Sequence, residues 1–162
     1  MSANDFNERP SRKRPVHAPI LDSGNRSVIV FLTVCTKKRA PVLATPTMHQ
    51  ALIHAWRQAS FWLIGRYVVM PDHIHLFCGP GTIPPHSLEN WVRFWKSAVA
   101  KTVDAGPDTL WEKNFWDTQL RRGESYQQKW SYVLNNPVRA NLVTTVADWP
   151  YQGELEVLRW HR

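Results

Sequence analysis

Long hydrophobic runs are missing from this sequence, and with them any expectation of a membrane span. The longest apolar stretches, such as Val28 to Cys35, fall well short of the roughly 20 residues a spanning helix needs. Cysteine is scarce. Cys35 and Cys78 are too few for a disulfide framework, and each falls in a segment that reads as a strand, where a small buried apolar residue is the expected role. No secretory leader pattern is visible, so the expected setting is reducing and cytoplasmic. No glycine-rich loop of the kind that cradles a nucleotide phosphate occurs, which argues against ATP-driven chemistry. Acidic residues are in the minority: 13 Asp and Glu against 20 Lys and Arg leave a net charge of +7. That balance favours a polyanionic partner.

What is present suits one globular domain. The chain has 162 residues, 43% of them hydrophobic, enough for a real core and too few for two comfortable domains. Residues 1–26 form a basic arm with little apolar pattern, including Arg12, Lys13 and Arg14. Residues 27–149 carry the domain, and 150–162 read as a C-terminal tail. Nine tryptophans are many; most should be core, and some near a basic surface could stack on unpaired bases.

Ser27 to Thr36 is dense in β-branched residues and reads as a strand, closed by the basic cluster Lys37, Lys38, Arg39. Thr45-Pro46 supplies an N-cap and a first-turn proline for a helix to about Ser60. Phe61 to Met70 and His73 to Gly79 read as a hairpin of two strands. Ser87 caps a second helix whose Leu88, Trp91, Val92, Trp95 and Val99 share a core face, with Arg93, Lys96 and Lys101 towards its outer side. A fourth strand ends near Arg121. Glu124 to Asn136 is a third helix, and the segment from Val146 reads as a last short helix. Strand, helix, strand, strand, helix, strand predicts an α+β fold: a ferredoxin-like or RRM-like antiparallel sheet, helices on one face and the other face free.

The hairpin carries the first chemical signal. His73 and His75 stand two residues apart, so in a strand they share a face, with Ile74 and Leu76 on the other. Ile74 and Leu76 belong to the core, which puts the imidazoles on the open face as half of a metal site. The third helix carries the second signal. At 100° per residue Tyr126, Trp130, Val133 and Leu134 share an apolar side. Ser125, Gln128, Lys129, Tyr132, Asn135 and Asn136 line the polar one. Tyr132 and Asn136 are i and i+4, one stacked over the other, and Pro137 ends the helix near Asn136, leaving that side chain able to reach outward. Histidines in strands and exposed tyrosines each have bland readings; together, on facing elements, they suggest a nucleophile and a third ligand beside two imidazoles.

At these residues the chain resembles the single-tyrosine HUH transposases, and within them the REP-associated tyrosine transposases. The likeness rests on Val69-Met70-Pro71-Asp72-His73-Ile74-His75-Leu76, on Phe115-Trp116-Asp117, on Tyr126, and on Ser131-Tyr132-Val133-Leu134-Asn135-Asn136-Pro137-Val138-Arg139-Ala140-Asn141-Leu142-Val143. It runs from about residue 28 to Trp149. The resemblance implies that His73, His75 and Asn136 hold a divalent metal, Mg or Mn, and that Tyr132 attacks a DNA phosphodiester. A 5′-phosphotyrosine link would form and a 3′-OH would leave. Relatives often carry Gln where Asn136 stands, and Asn offers the same carbonyl on a shorter arm. Tyr126 would be structural. The implied substrate is single-stranded DNA bearing a hairpin, such as a REP-like element, and the implied activity is DNA transposition by cleavage and rejoining. A monomer acting in cis is favoured over a homodimer, in a bacterial cytoplasm and at its nucleoid.

Backbone contacts to such DNA fall to Arg12, Lys13, Arg14, Lys37, Lys38, Arg39, Arg93, Lys96, Arg121, Arg122 and Lys129, which predicts steep salt dependence. Two other metal-enzyme readings fail on residues. A histidine-triad hydrolase needs a third histidine where Phe77 stands, and a zinc deaminase needs His-x-Glu and Cys-x-x-Cys. The remaining rival is an RRM-like nucleic-acid-binding protein without catalysis, a domesticated relative.

Overall fold

A computed structural model describes residues 28–121 and 123–159. The β-branched run forms strand β1, Ile29–Cys35. Helix α1, Pro46–Gln58, starts where the sequence signals it: Thr45 accepts a hydrogen bond from the Met48 amide at 3.1 Å, and Pro46 fills the first turn. Strands β2, Trp62–Val69, and β3, His73–Pro80, form the hairpin, closed by the Met70 amide donating to the His73 carbonyl at 2.8 Å. Helix α2, Leu88–Thr102, is capped by Ser87, whose hydroxyl accepts from the Asn90 amide. A short helix α3, Pro107–Leu110, precedes β4, Trp116–Leu120. Helix α4, Gly123–Leu134, is followed at once by the single turn α5, Asn136–Arg139, and the chain closes with β5, Gln152–Glu154.

All neighbours in the sheet are antiparallel, in the order β4-β1-β3-β2-β5. The first four are the ferredoxin-like set that the element order predicts. The fifth was not expected: residues 152–154 fall in the predicted tail, yet they pair with β2, and the Arg66–Glu154 ion pair at 3.1 Å ties the two strands. The segment from Val146 forms only one 3-10 turn before this strand, not a last helix.

The two-residue period of β1 and β3 divides the apolar residues between two cores. Val30, Leu32, Val34, Ile74, Leu76 and Cys78 face α1 and α2. Tryptophans fill that core: Trp95 meets Trp56, Trp91 and Trp111 with rings tilted or edge-on at 5.6–6.2 Å, the geometry that aromatic quadrupoles favour. Ile29, Phe31 and Phe77 face the other way, where Tyr126 and Val133 of α4 and Trp149 cover them. The second face is therefore not free, as the element order suggests; α4 occupies much of it. Among the described residues six tryptophans are buried in the cores, and Trp116 and Trp130 are half-buried.

Lys96 also departs from the expected pattern. It is buried, not on the outer side of α2, and its ammonium donates to the Glu112 carbonyl at 2.7 Å. Burial pulls its pKa down to about 8. The loop following α3 covers this stretch of helix, which a helical wheel does not show.

Leu76 is fully buried at the centre of the sheet. Leu76→Ala is expected to cost about 2–5 kcal/mol through lost transfer energy and the cavity left behind, read from the midpoint of denaturant unfolding.

Candidate active site

His73 and His75 project from β3 on the α4 side of the sheet. Their ring centroids are 4.7 Å apart and the planes nearly perpendicular, at 79°. Each ring is held through Nδ1. His73 Nδ1 lies 2.7 Å from Asp72 Oδ1, close enough that the ring N–H donates to the carboxylate. Arg39 Nη2 is 3.2 Å from the same nitrogen; with the proton already there this is a contact between donors, and the guanidinium's real bond runs from Nε to Asp72 Oδ2 at 2.9 Å. His75 Nδ1 lies 2.9 Å from Thr33 Oγ1 on the paired strand, and the ring stacks on Phe31.

His75 Nε2 is buried and has no hydrogen-bond partner. The tautomer that leaves no buried N–H without an acceptor puts the proton on Nδ1, donating to Thr33. Nε2 then presents a bare lone pair. Desolvation, then the neighbouring His73, Arg39 and Arg139, hold the His75 imidazole neutral well below its ordinary range. Asp72 is displaced downward as well, mainly because its oxygens accept from His73 and Arg39.

Arg39 reaches this cluster through its backbone. Lys38 and Arg39 sit at φ of 52° and 56°, a left-handed conformation that non-glycine residues adopt at a cost. The turn folds the guanidinium back over Cys35 and Asp72. The sequence marks Arg39 as basic and Asp72 as a turn residue, and neither label reveals that the two orient a histidine.

The other half of the site comes from α4 and α5. Tyr126 is buried, its ring 4.9 Å from Phe77 and beneath Arg66, and burial raises its pKa. Tyr132 is half-buried, with the Arg139 guanidinium 3.7 Å above its ring. Asn136 does not reach outward as its place at the predicted helix end suggests. It is 1% exposed, and its Oδ1 accepts from Arg139 Nη2 at 2.8 Å while its Nδ2 is buried without a partner. Pro137 is the reason: α4 stops at Leu134, and the chain restarts in α5 with Asn136 turned inward. Arg139 joins the halves, since it holds Asn136, lies on Tyr132 and carries a charge felt at His75. Its i+7 spacing from Tyr132, across a proline break, gives no signal in a helical wheel.

Among the described residues no three His, Cys, Asp or Glu side chains gather in a way that could hold a metal ion. A metal at the histidine pair would therefore draw further protein ligands from other side-chain types, and Asn136 Oδ1 is of that kind. The bare, neutral Nε2 of His75 is the feature that fits a cation here: a buried lone pair without a donor is costly unless something fills it.

The predicted DNA contacts scatter. Arg39 and Lys129 lie on the histidine side, Lys129 with its ammonium 5.4 Å from the centre of the Phe31 ring. Lys37 is half-exposed and Lys38 exposed in the turn after β1, and exposed Arg121 follows β4. Arg93 and Lys96 are on α2, across the sheet from the histidines. Arg12, Lys13, Arg14 and Arg122 lie outside the described residues.

The buried imidazole has a consequence for stability. In the unfolded chain His75 takes up a proton near pH 6.5, whereas in the fold it does so only at much lower pH. The unfolded state thus binds more protons below that value, and stability falls as pH drops. Thermal melts in chelator between about pH 7.5 and 5 should show a slope that His75→Gln reduces; an unchanged slope would contradict the burial of a neutral ring.

No protein-family model matches the chain. It is 29% identical over 124 residues to the REP-associated tyrosine transposase of Escherichia coli K12, an alignment spanning 75% of this chain and 73% of that one. In fold it is similar to the structure of a REP-associated tyrosine transposase bound to a REP hairpin, with a TM-score of 0.66 and 23% identity over 84% of this chain and 82% of the other. In sequence the chain is thus similar to a REP-associated tyrosine transposase, and in fold to the structure of one.

Proposed function

We propose that the chain is a transposase that cuts and rejoins single-stranded DNA next to a hairpin, with Tyr132 as nucleophile and a divalent metal, Mn²⁺ or Mg²⁺, held by His73, His75 and Asn136. The observation that carries this reading is the paired imidazoles with both Nδ1 atoms engaged and the buried Nε2 of His75 unpartnered. The relatives supply the reaction class.

Each residue then has a task. Tyr132 Oη attacks phosphorus, the P–O3′ bond breaks, and the phenolic proton is balanced by the proton gained by the departing 3′-OH. The DNA 5′ end stays on the protein as a phosphotyrosine. Attack by another 3′-OH reverses these steps and restores the tyrosine, so the bond energy is kept for rejoining and no ATP is consumed. Held by the neutral ligands His73, His75 and Asn136, a divalent cation would keep its full charge to offset that of the phosphate, and imidazole with amide suits Mn²⁺ at least as well as Mg²⁺. Asp72 and Thr33 fix the tautomers that leave Nε2 available. Tyr126 serves packing, because its ring is committed to Phe77. Since α4 lies on its own sheet, one chain brings both halves of the site together, which supports a monomer acting in cis.

The test is a covalent adduct. The protein is incubated with hairpin-bearing single strands of randomised 5′ flank and Mn²⁺, then resolved on a denaturing gel. A shifted band is expected for the wild type and Tyr126→Phe, and none for Tyr132→Phe. Persistence in Tyr132→Phe, or loss in Tyr126→Phe alone, would overturn the assignment. Asp72→Asn is expected to weaken Mn²⁺ binding about 10-fold or more, as loss of a carboxylate behind a metal-binding histidine does, read by calorimetric titration without DNA.

A further inference from the structure

Three arginines surround the α4 side of the sheet, and two are neutralised. Arg39 is paired with Asp72 and Arg66 with Glu154. Arg139 has no ion-pair partner among the described residues, although it is half-buried and its Nε is shielded from solvent without an acceptor. Its Nη2 is spent on the Tyr132 carbonyl and Asn136 Oδ1. A partly buried cation surrounded by neutral groups is expensive unless an anion completes it.

The position of the charge identifies that anion. The guanidinium sits over the Tyr132 ring, 3.7 Å from its centre, and holds Asn136 Oδ1 at 2.8 Å. Beside Tyr132 and Asn136 is where the proposed reaction requires a phosphodiester, which carries one negative charge and two non-bridging oxygens. With Nη2 committed to those two bonds, the N–H donors of Nη1 lie outside them, and a charge-assisted bond from Nη1 to a non-bridging oxygen completes the cation. We propose that Arg139 binds a non-bridging oxygen of the scissile phosphodiester and holds it against Tyr132. This inference rests on the reaction proposed above. Because the side chain that binds the phosphate also stacks on the nucleophile's ring, attacking atom and target are fixed by one group. The adjoining Asn136 contact couples that group to the metal-binding residue as well.

Two measurements test it. At saturating DNA and Mn²⁺, Arg139→Ala should slow adduct formation about 100-fold, the usual loss when one donor to a developing charge is removed, and Arg139→Lys should recover only part of the rate. The second is a binding cycle in the Tyr132→Phe background, which blocks chemistry. The phosphodiester at the cleavage position mapped from the wild-type adduct is replaced by an uncharged methylphosphonate. With Arg139 present the replacement should weaken hairpin binding about 10-fold; with Arg139→Ala it should change little. Adduct formation by Arg139→Ala at the wild-type rate, or equal sensitivity to the methylphosphonate with and without Arg139, overturns the proposal. Should Arg139→Ala lose its cooperative melt, Arg139→Gln takes its place in both arms. Absence of any wild-type adduct is a different result, and it removes the parent reading instead.

Discussion

Burial of β3 on both sides is the constraint on which the rest of the structure depends. Ile74, Leu76 and Cys78 are consumed by the helical core and Phe77 by the second core, so the only polar side chains of the strand, His73 and His75, must be satisfied locally. Thr33 on the neighbouring strand and Asp72 in the turn do this at Nδ1. Nothing among the described residues does it at His75 Nε2. The sheet therefore holds two imidazoles rigidly, on strands and not loops, with one nitrogen lacking a partner. A site built on regular structure keeps its geometry because the surrounding core fixes its rotamers.

Much of this was legible in the sequence, for reasons of periodicity. Alternation in β1 and β3 has period two, and both strands run straight through the predicted range, so the shared face of His73 and His75 followed directly. Helix caps at Thr45 and Ser87 are local signals and stand where the residues place them. The misreadings share one cause: they extend a local rule past a point where tertiary structure takes over. The wheel that put Asn136 outward assumes a continuous helix, and Pro137 ends that helix two residues early. Lys96 has an outer-face position until the loop after α3 covers it. Strand β5 has only three residues and little apolar character, so its pairing with β2 has no signature of its own.

The residues that orient the histidines and Tyr132 were the least legible part. Arg39 reaches Asp72 only because two successive residues adopt positive φ, and Arg139 reaches Tyr132 only by folding back across α5. In sequence both merely add to a basic composition. In the fold they lie at the histidines, one neutralised by a carboxylate and one not.

The positive charge of the chain is divided by the sheet itself. Arg93 rides on the helical layer, while Lys129 and Arg139 belong to the opposite layer, and layers packed on a sheet stand about 10 Å from it on each side. No straight polyanion can touch both sets. A strand in contact with Lys129 and Arg93 together has to bend round an edge of the sheet, and at the β4 edge exposed Arg121 stands just beyond the last residue.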